Sequence, residues 1–223
     1  GATLLVVSFI RLATVDPGYD PDNLLRLQLQ LPAAAYSTAS AHTDYYDRLT
    51  DALEQLPAVE EATVVSSPPS SRANIQIAMS RSEGPTDPDE QPRPMGVRVV
   101  DDGYFDAIGA ELVAGRGFSA EDRTETLPGA VMSASAAELM FPGEDPLGQP
   151  VQMMGPELEV VGVVSDVRAS GTDPVPLPDL FMPLSQAPPQ MVPMLFRTAT
   201  LLVRTGPAPM TVVPELRARI EQL

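Results

Sequence analysis

Leu24-Leu25-Arg26-Leu27-Gln28-Leu29-Gln30-Leu31 is the stretch from which the fold is read. Leu25, Leu27, Leu29 and Leu31 alternate with Arg26, Gln28 and Gln30, the period-2 pattern of a strand with one buried face. Pro32 stops it, and the turn formers from Val15 to Pro21 precede it. Tyr45, Leu49, Ala52, Leu53 and Leu56 then recur at helical spacing and line one face of an α-helix. Ser37 or Thr38 caps its start, and Pro57 lies just beyond its end. Val59–Ser66 follows as a second strand. Strand, helix and strand in this order make a βαβ-type unit.

Downstream the texture changes. From Ser67 to about Pro176, short β-like runs (Asn74–Met79, Met95–Val100, Ala130–Met132, Val151–Met154, Leu158–Val164) are separated by Pro-, Gly- and Asp-rich connections. The longest connection, Glu83–Pro94, is expected to be mobile. Two short helices are expected at Gly103–Ile108 and Ser135–Phe141. Beyond that region, Leu180–Leu184 and Thr198–Arg204 read as strands, and Ala187–Met194 as a loop. Met210–Leu223 reads as a helix with Val213, Leu216, Ile220 and Leu223 on one face. Pro209 sits near its start, and Pro214 is acceptable only in its first turn. The expected class is therefore α+β: a split βαβ layer formed from both chain ends, with a mostly-β subdomain inserted. A closing strand is expected beyond Leu223.

Composition narrows the chemistry. The 223 residues include no Cys and a single His, and all 14 basic residues are Arg. Thiol catalysis, multi-histidine metal sites and lysine-based phosphate or Schiff-base chemistry are excluded. The net charge of −16 would repel phosphate backbones, so nucleic acid is not an expected partner. Residues 73–168 hold 17 of the 30 acids, as an inserted unit of different character would. Gly1–Leu12 is the most apolar stretch. It is shorter than the ~20 residues a membrane-spanning helix needs. It reads either as the end of a transmembrane helix or as a buried element.

No catalytic, cofactor or metal constellation emerges. Asp44, Asp47, Asp51 and Glu54 read as a solvated helix face. Asp101-Asp102 and Glu121-Asp122 sit near helix starts or turns, where acids suit the helix dipole. His42, Ser165 and Asp166 supply the residue types of a triad, but no nucleophile elbow surrounds Ser165. Gly115-Arg116-Gly117 reads as a tight turn, not a phosphate cradle. Of the ten Met residues, most suit core gap-filling. Met191 and Met194, in a Pro-rich stretch, are the candidate partner or substrate contacts.

The ordered motifs resemble those of the extracytoplasmic domain of MacB/FtsX-type ABC transporter permeases, in particular the MacB-like group with two such domains per chain. They are Val15-Asp16-Pro17-Gly18-Tyr19, Leu56-Pro57-Ala58-Val59-Glu60, Tyr104-Phe105 through Gly115-Arg116-Gly117-Phe118, Phe141-Pro142-Gly143-Glu144-Asp145-Pro146-Leu147-Gly148, Val160-Val161-Gly162-Val163-Val164-Ser165-Asp166-Val167-Arg168 and Phe181-Met182-Pro183-Leu184. Val131-Met132-Ser133-Ala134 departs from the family's "VVNE". The resemblance implies a porter-like α+β subdomain (15–66 and 177–223, lacking its last strand) and an inserted Sabre-like subdomain (67–176). Residues 1–14 would be the end or extension of a membrane helix, with one such helix before the domain and three after it.

The resemblance further implies a membrane-tethered, extracytoplasmic domain with no enzymatic activity of its own. ATP would be hydrolysed by a separate cytoplasmic ABC subunit or domain. Its motion would be transmitted outward to export or extract a substrate. The implied partners are a second permease copy or second half of the same chain, the ATPase and a periplasmic adaptor. The alternative reading is an FtsX-like signalling scaffold that recruits and activates an extracytoplasmic enzyme.

Overall fold

The computed structural model describes residues 18–69, 71, 73, 75–82, 92–119, 122, 128–153, 157–167 and 178–223. The expectations for residues 1–14, most of the 83–94 connection, Glu121 and Met154 lie outside these residues.

Among the described residues, ten strands and five α-helices follow one another: β1 Leu24–Gln30, α1 Ala39–Glu54, β2 Val59–Val65, β3 Ile75–Arg81, β4 Arg93–Val100, α2 Tyr104–Ile108, β5 Leu112–Gly115, β6 Gly129–Ser133, α3 Ala134–Met140, β7 Pro150–Met153, β8 Glu157–Val164, β9 Asp179–Pro183, α4 Val192–Phe196, β10 Thr198–Thr205 and α5 Val213–Glu221. The protein is α+β, as expected from the sequence.

β1 buries its leucines as the alternation predicts, with Leu25, Leu27 and Leu29 inside. It pairs antiparallel with β10, and β10 with β2, so the strand from the chain end lies between the first two. Thr38 caps α1 by accepting a hydrogen bond from Ala41 N. The helix buries Tyr45, Tyr46, Leu49 and Leu53 against this three-stranded layer. Each such apolar side chain is worth roughly 1.5–3 kcal/mol of burial. Tyr46 also donates to Phe196 O at 2.7 Å and so ties α1 to α4. In α5, Pro214 falls in the first turn, and Leu216 and Ile220 face the core.

The other strands close on themselves. β4 pairs with β3, β3 with β7, β7 with β8, β8 with β6, β6 with β9, and β9 in parallel with β4. This six-stranded ring is packed inside by Met79, Met95, Met132, Met153, Met182 and neighbouring Val and Leu side chains. Methionine's unbranched side chain suits such an irregular interior.

Three expectations need correction. β9, grouped by sequence with the chain ends, hydrogen-bonds instead within the ring. The stretch Ala187–Met194 is not a plain loop: a 3-10 turn spans Leu184–Gln186 and α4 begins at Val192. Leu223, placed on the buried face of the last helix, lies beyond α5 and is 42% exposed. β5, which pairs with β8, is an element the sequence pattern did not mark.

Candidate functional site

The layer and the ring meet along β4, whose edge is shared by β3 over its first part and by β2 at Val100. Ser66 N donates to Val99 O at 2.9 Å, Val99 N to Ser66 Oγ at 3.0 Å, and Asp101 N to Val64 O at 3.0 Å. Behind this seam lies Arg98, only 1% exposed. Its Nε donates to Asp179 Oδ2 at 2.7 Å. Nη1 donates to Ser67 O (3.1 Å) and Pro68 O (2.9 Å), and Nη2 to Ser71 O (2.6 Å). The planar fork of donors lets one cation satisfy a carboxylate and three carbonyls at once. Asp179 itself donates from its backbone N to Ser133 Oγ at 3.1 Å. Gly96 stands opposite because a Cβ there would overlap the Asp179 carboxylate. Ser67, Pro68 and Ser71, in the connection that carries the chain from layer to ring, are thus held against the outer face of the ring.

On the same face of β4 and β9, α2 supplies a second link. Tyr104, Phe105 and Ile108 pack with Phe118, Phe181, Val131 and Val164 of the ring side and with Val65 and Leu202 of the layer. Phe105 meets Phe181 edge-on at 5.2 Å and Phe118 at 5.7 Å between ring centres. Burial pushes the Tyr104 hydroxyl well above the ordinary tyrosine range.

The residues singled out from the sequence are distributed elsewhere. Met194, in α4, is 63% exposed, whereas Met191 is half-buried against the core, so only one of the pair presents itself to solvent. His42 is buried in α1, with Nδ1 2.9 Å from Thr38 O. Asp166 accepts from Ser135 N at the start of α3 (2.9 Å), and Ser165 N donates to Glu111 O (2.8 Å). The three are engaged separately. Asp44, Asp51 and Glu54 are exposed on α1, and Glu54 Oε1 accepts from Ala62 N. Shallow grooves beside α1 are lined by Asp44, Asp47 and Arg48, and by Asp47, Asp101 and Asp102. Among the described residues no three His, Asp or Glu side chains come together as a metal site would require.

Gly115-Arg116-Gly117 is not the expected tight turn: Gly115 ends β5, Arg116 N still bonds across to Val161 O, and the Arg116 side chain makes a two-pronged pair with Asp122, at 2.7 and 2.8 Å. The Arg116 hydrogen bonds hold the Asp122 carboxyl below the usual range despite its burial. Arg98 and Arg204, the two arginines that organise the junction, were not marked. The available signal was a charged residue inside an apolar strand run: Arg98 in Met95–Val100, and Arg204 at the end of Leu201-Leu202-Val203.

By sequence, residues 1–223 match the MacB-like periplasmic core domain family. Among solved structures, the periplasmic region of MacB from Actinobacillus actinomycetemcomitans is similar with a TM-score of 0.60 and 17% identity, covering 92% of this chain and 85% of that one. The extracellular domain of the noncanonic ABC-type transporter YknZ from Gram-positive bacteria is similar at 0.54 and 17% identity, over 87% of this chain and 88% of that one. A domain of a putative permease protein from Porphyromonas gingivalis is similar at 0.52 and 19% identity, over 78% and 68%. No curated protein matches by sequence. Among the described residues no helix is long and apolar enough to cross a membrane.

Proposed function

Because the chain belongs to the MacB-like periplasmic core domain family, the extracytoplasmic part of an ABC transporter permease, we propose that it transmits ATP-driven motion of membrane helices to a substrate outside the membrane. ATP is hydrolysed by a cytoplasmic ABC subunit or domain. This domain opens and closes against a second copy, or against the second half of the same chain, and so exports or extracts the substrate towards an adaptor. The layer of β1, β10 and β2 with α1, α4 and α5 serves as the porter-like part, and the closed ring as the Sabre-like part.

The observation that supports this reading is the junction. The layer and the ring share one aromatic cluster around α2, and on the same face Arg98 holds the Ser67, Pro68 and Ser71 carbonyls of the connecting segment. A displacement applied to one part is passed to the other instead of being absorbed by a slack hinge.

The test uses the full permease with its ATPase in lipid vesicles. One spin label is placed at Glu157→Cys, an exposed position in a chain without cysteine. The distance between labels on two copies is expected to differ between the resting and ATP-locked states. An unchanged distance while transport proceeds would refute transmission through this domain.

A further inference from the structure

Arg204 lies one residue from the end of β10, and its guanidinium reaches away from its own strand. Nε donates to Ala107 O at 2.9 Å. Nη1 donates to Asp22 O at 2.7 Å and to Asp20 Oδ2 at 3.1 Å, and Nη2 to Asp20 O at 2.9 Å. These partners belong to two pieces of chain: the C-terminal turn of α2 and the segment 18–23 that leads into β1. The side chain is only 12% exposed, so water competes weakly for its donors.

The same segment is held at three further points. Asp20 N donates to Ile108 O at 2.8 Å, so the last carbonyls of α2, which a helix end leaves without internal partners, are taken by Asp20 and Arg204. Thr205 donates to Asn23 O through both N (3.1 Å) and Oγ1 (3.2 Å). Tyr19 packs against the aromatic cluster. Gly109, at φ +62°, ends α2 in the left-handed conformation. A Cβ there would stand 3.1 Å from Asp20 Cβ and 3.7 Å from Arg204 Nη2, so the absence of a side chain is what lets segment 18–23 lie on the helix end.

We propose that Arg204 is a positioning residue that fastens segment 18–23 to the end of α2, so that a displacement of that segment passes through α2 into the cluster shared by layer and ring. The path is contiguous: Asp20 and Asp22 to Arg204 and Ala107, then Phe105 and Ile108 to Val65 and Leu202 on one side and Phe181 on the other. The role needs a planar fork that reaches three carbonyls and a carboxylate together. Lysine, a point charge with three donors on a flexible stem, cannot reproduce it. The inference rests on the permease reading for the origin of the displacement; the clamp itself rests on the geometry.

The test compares the wild-type chain with Arg204→Gln by amide hydrogen exchange. The Asp20 amide is expected to exchange about 10-fold faster or more in the variant. The Leu201 amide, inside a strand flanked on both sides, keeps its rate. In parallel, a spin-label pair at Asp22→Cys and Glu157→Cys is expected to give a narrow distance distribution that broadens in Arg204→Gln. The clamp is refuted if the Asp20 amide changes less than about 2-fold, if Asp20 and Leu201 accelerate by the same factor as in a general loss of stability, or if the label distribution keeps its width. Should Arg204→Gln fail to fold, Arg204→Lys, which keeps the charge and loses the fork, is judged by the same outcomes. Both readouts are taken on this chain without ATP or substrate. Failure here removes the clamp and leaves the permease reading; immobility of this domain in the cycling permease removes that reading and leaves the clamp.

Discussion

Replacing Arg98 by methionine tests the junction directly. The substitution keeps an unbranched apolar stem but removes the guanidinium from a site where Arg98 is 1% and Asp179 4% exposed. Asp179 loses its cationic partner, and Ser67 O, Pro68 O and Ser71 O lose the donors that hold the connecting segment. Breaking a buried ion pair from one side costs about 3–5 kcal/mol, because the remaining charge is left without compensation. The carbonyl losses overlap with this cost, since segment 66–71 relaxes towards water once released. For a protein of this size 1 kcal/mol corresponds to roughly 2–4 °C in Tm, so a loss of about 4 kcal/mol lowers Tm by about 8–16 °C.

Urea unfolding of wild type, Arg98→Met, Asp179→Asn and the double variant measures the effect and its coupling. The double variant no longer strands a charge, so it is expected to be more stable than the two single losses added together, by more than about 1.5 kcal/mol. A single-variant loss below about 1 kcal/mol, or additivity within about 0.5 kcal/mol, would show that the pair does not hold the junction.

Three other perturbations give separable outcomes. Gly109→Ala should cost more than Gly143→Ala in thermal unfolding. Both positions are left-handed, a strain of about 1–2 kcal/mol for alanine, but a Cβ at Gly143 meets nothing within 4 Å while at Gly109 it displaces Asp20; equal losses would mean the segment yields freely. Asp122 has its folded pKa held below its ordinary value by Arg116, so its contribution is present above about pH 4 and is lost as pH falls through the lower folded value. Asp122→Asn should therefore lower Tm at pH 7, by the equivalent of about 1 kcal/mol because Arg116 is half-exposed, and should flatten the acid side of the stability profile; an unchanged acid slope counts against the pair.

Glu61 behaves oppositely. Burial first, then Glu54 and Asp106, raise its pKa above the ordinary 4.5, so its ionisation costs stability as pH rises through the raised value. Glu61→Gln should raise Tm at pH 7 and leave it unchanged at pH 4, and the same shift at both pH values would refute the assignment.

What the sequence determined by itself was local. Leucine alternation set β1, helical spacing with Thr38 set α1, and the apolar runs marked most strands, because strand pleat, helical repeat and cap chemistry depend only on residues a few positions apart. The ordered motifs identified the family from the same short-range signals. Tertiary structure decided the rest. A continuous run such as Leu180–Met182 is apolar on both sides and says nothing about which strand edge it will meet. That β9 closes the ring against β4, over 80 residues away, was therefore not written in its pattern. β5 was passed over because its four residues are too short a run to mark a strand, and only the pairing of Leu112, Ala114 and Gly115 with β8, around an irregularity at Val113, makes it one.

The candidate site was the least legible part. Met194 kept the exposed position expected of a contact, yet the junction is organised by Arg98 and Arg204. An arginine in a strand reads as a solvent-facing residue. Only the folded chain brings Asp179 and the Ser67, Pro68 and Ser71 carbonyls around one guanidinium, and Asp20, Asp22 and Ala107 around the other. A buried cation is tolerated only when its partners converge from distant segments, and that convergence is a property of the fold.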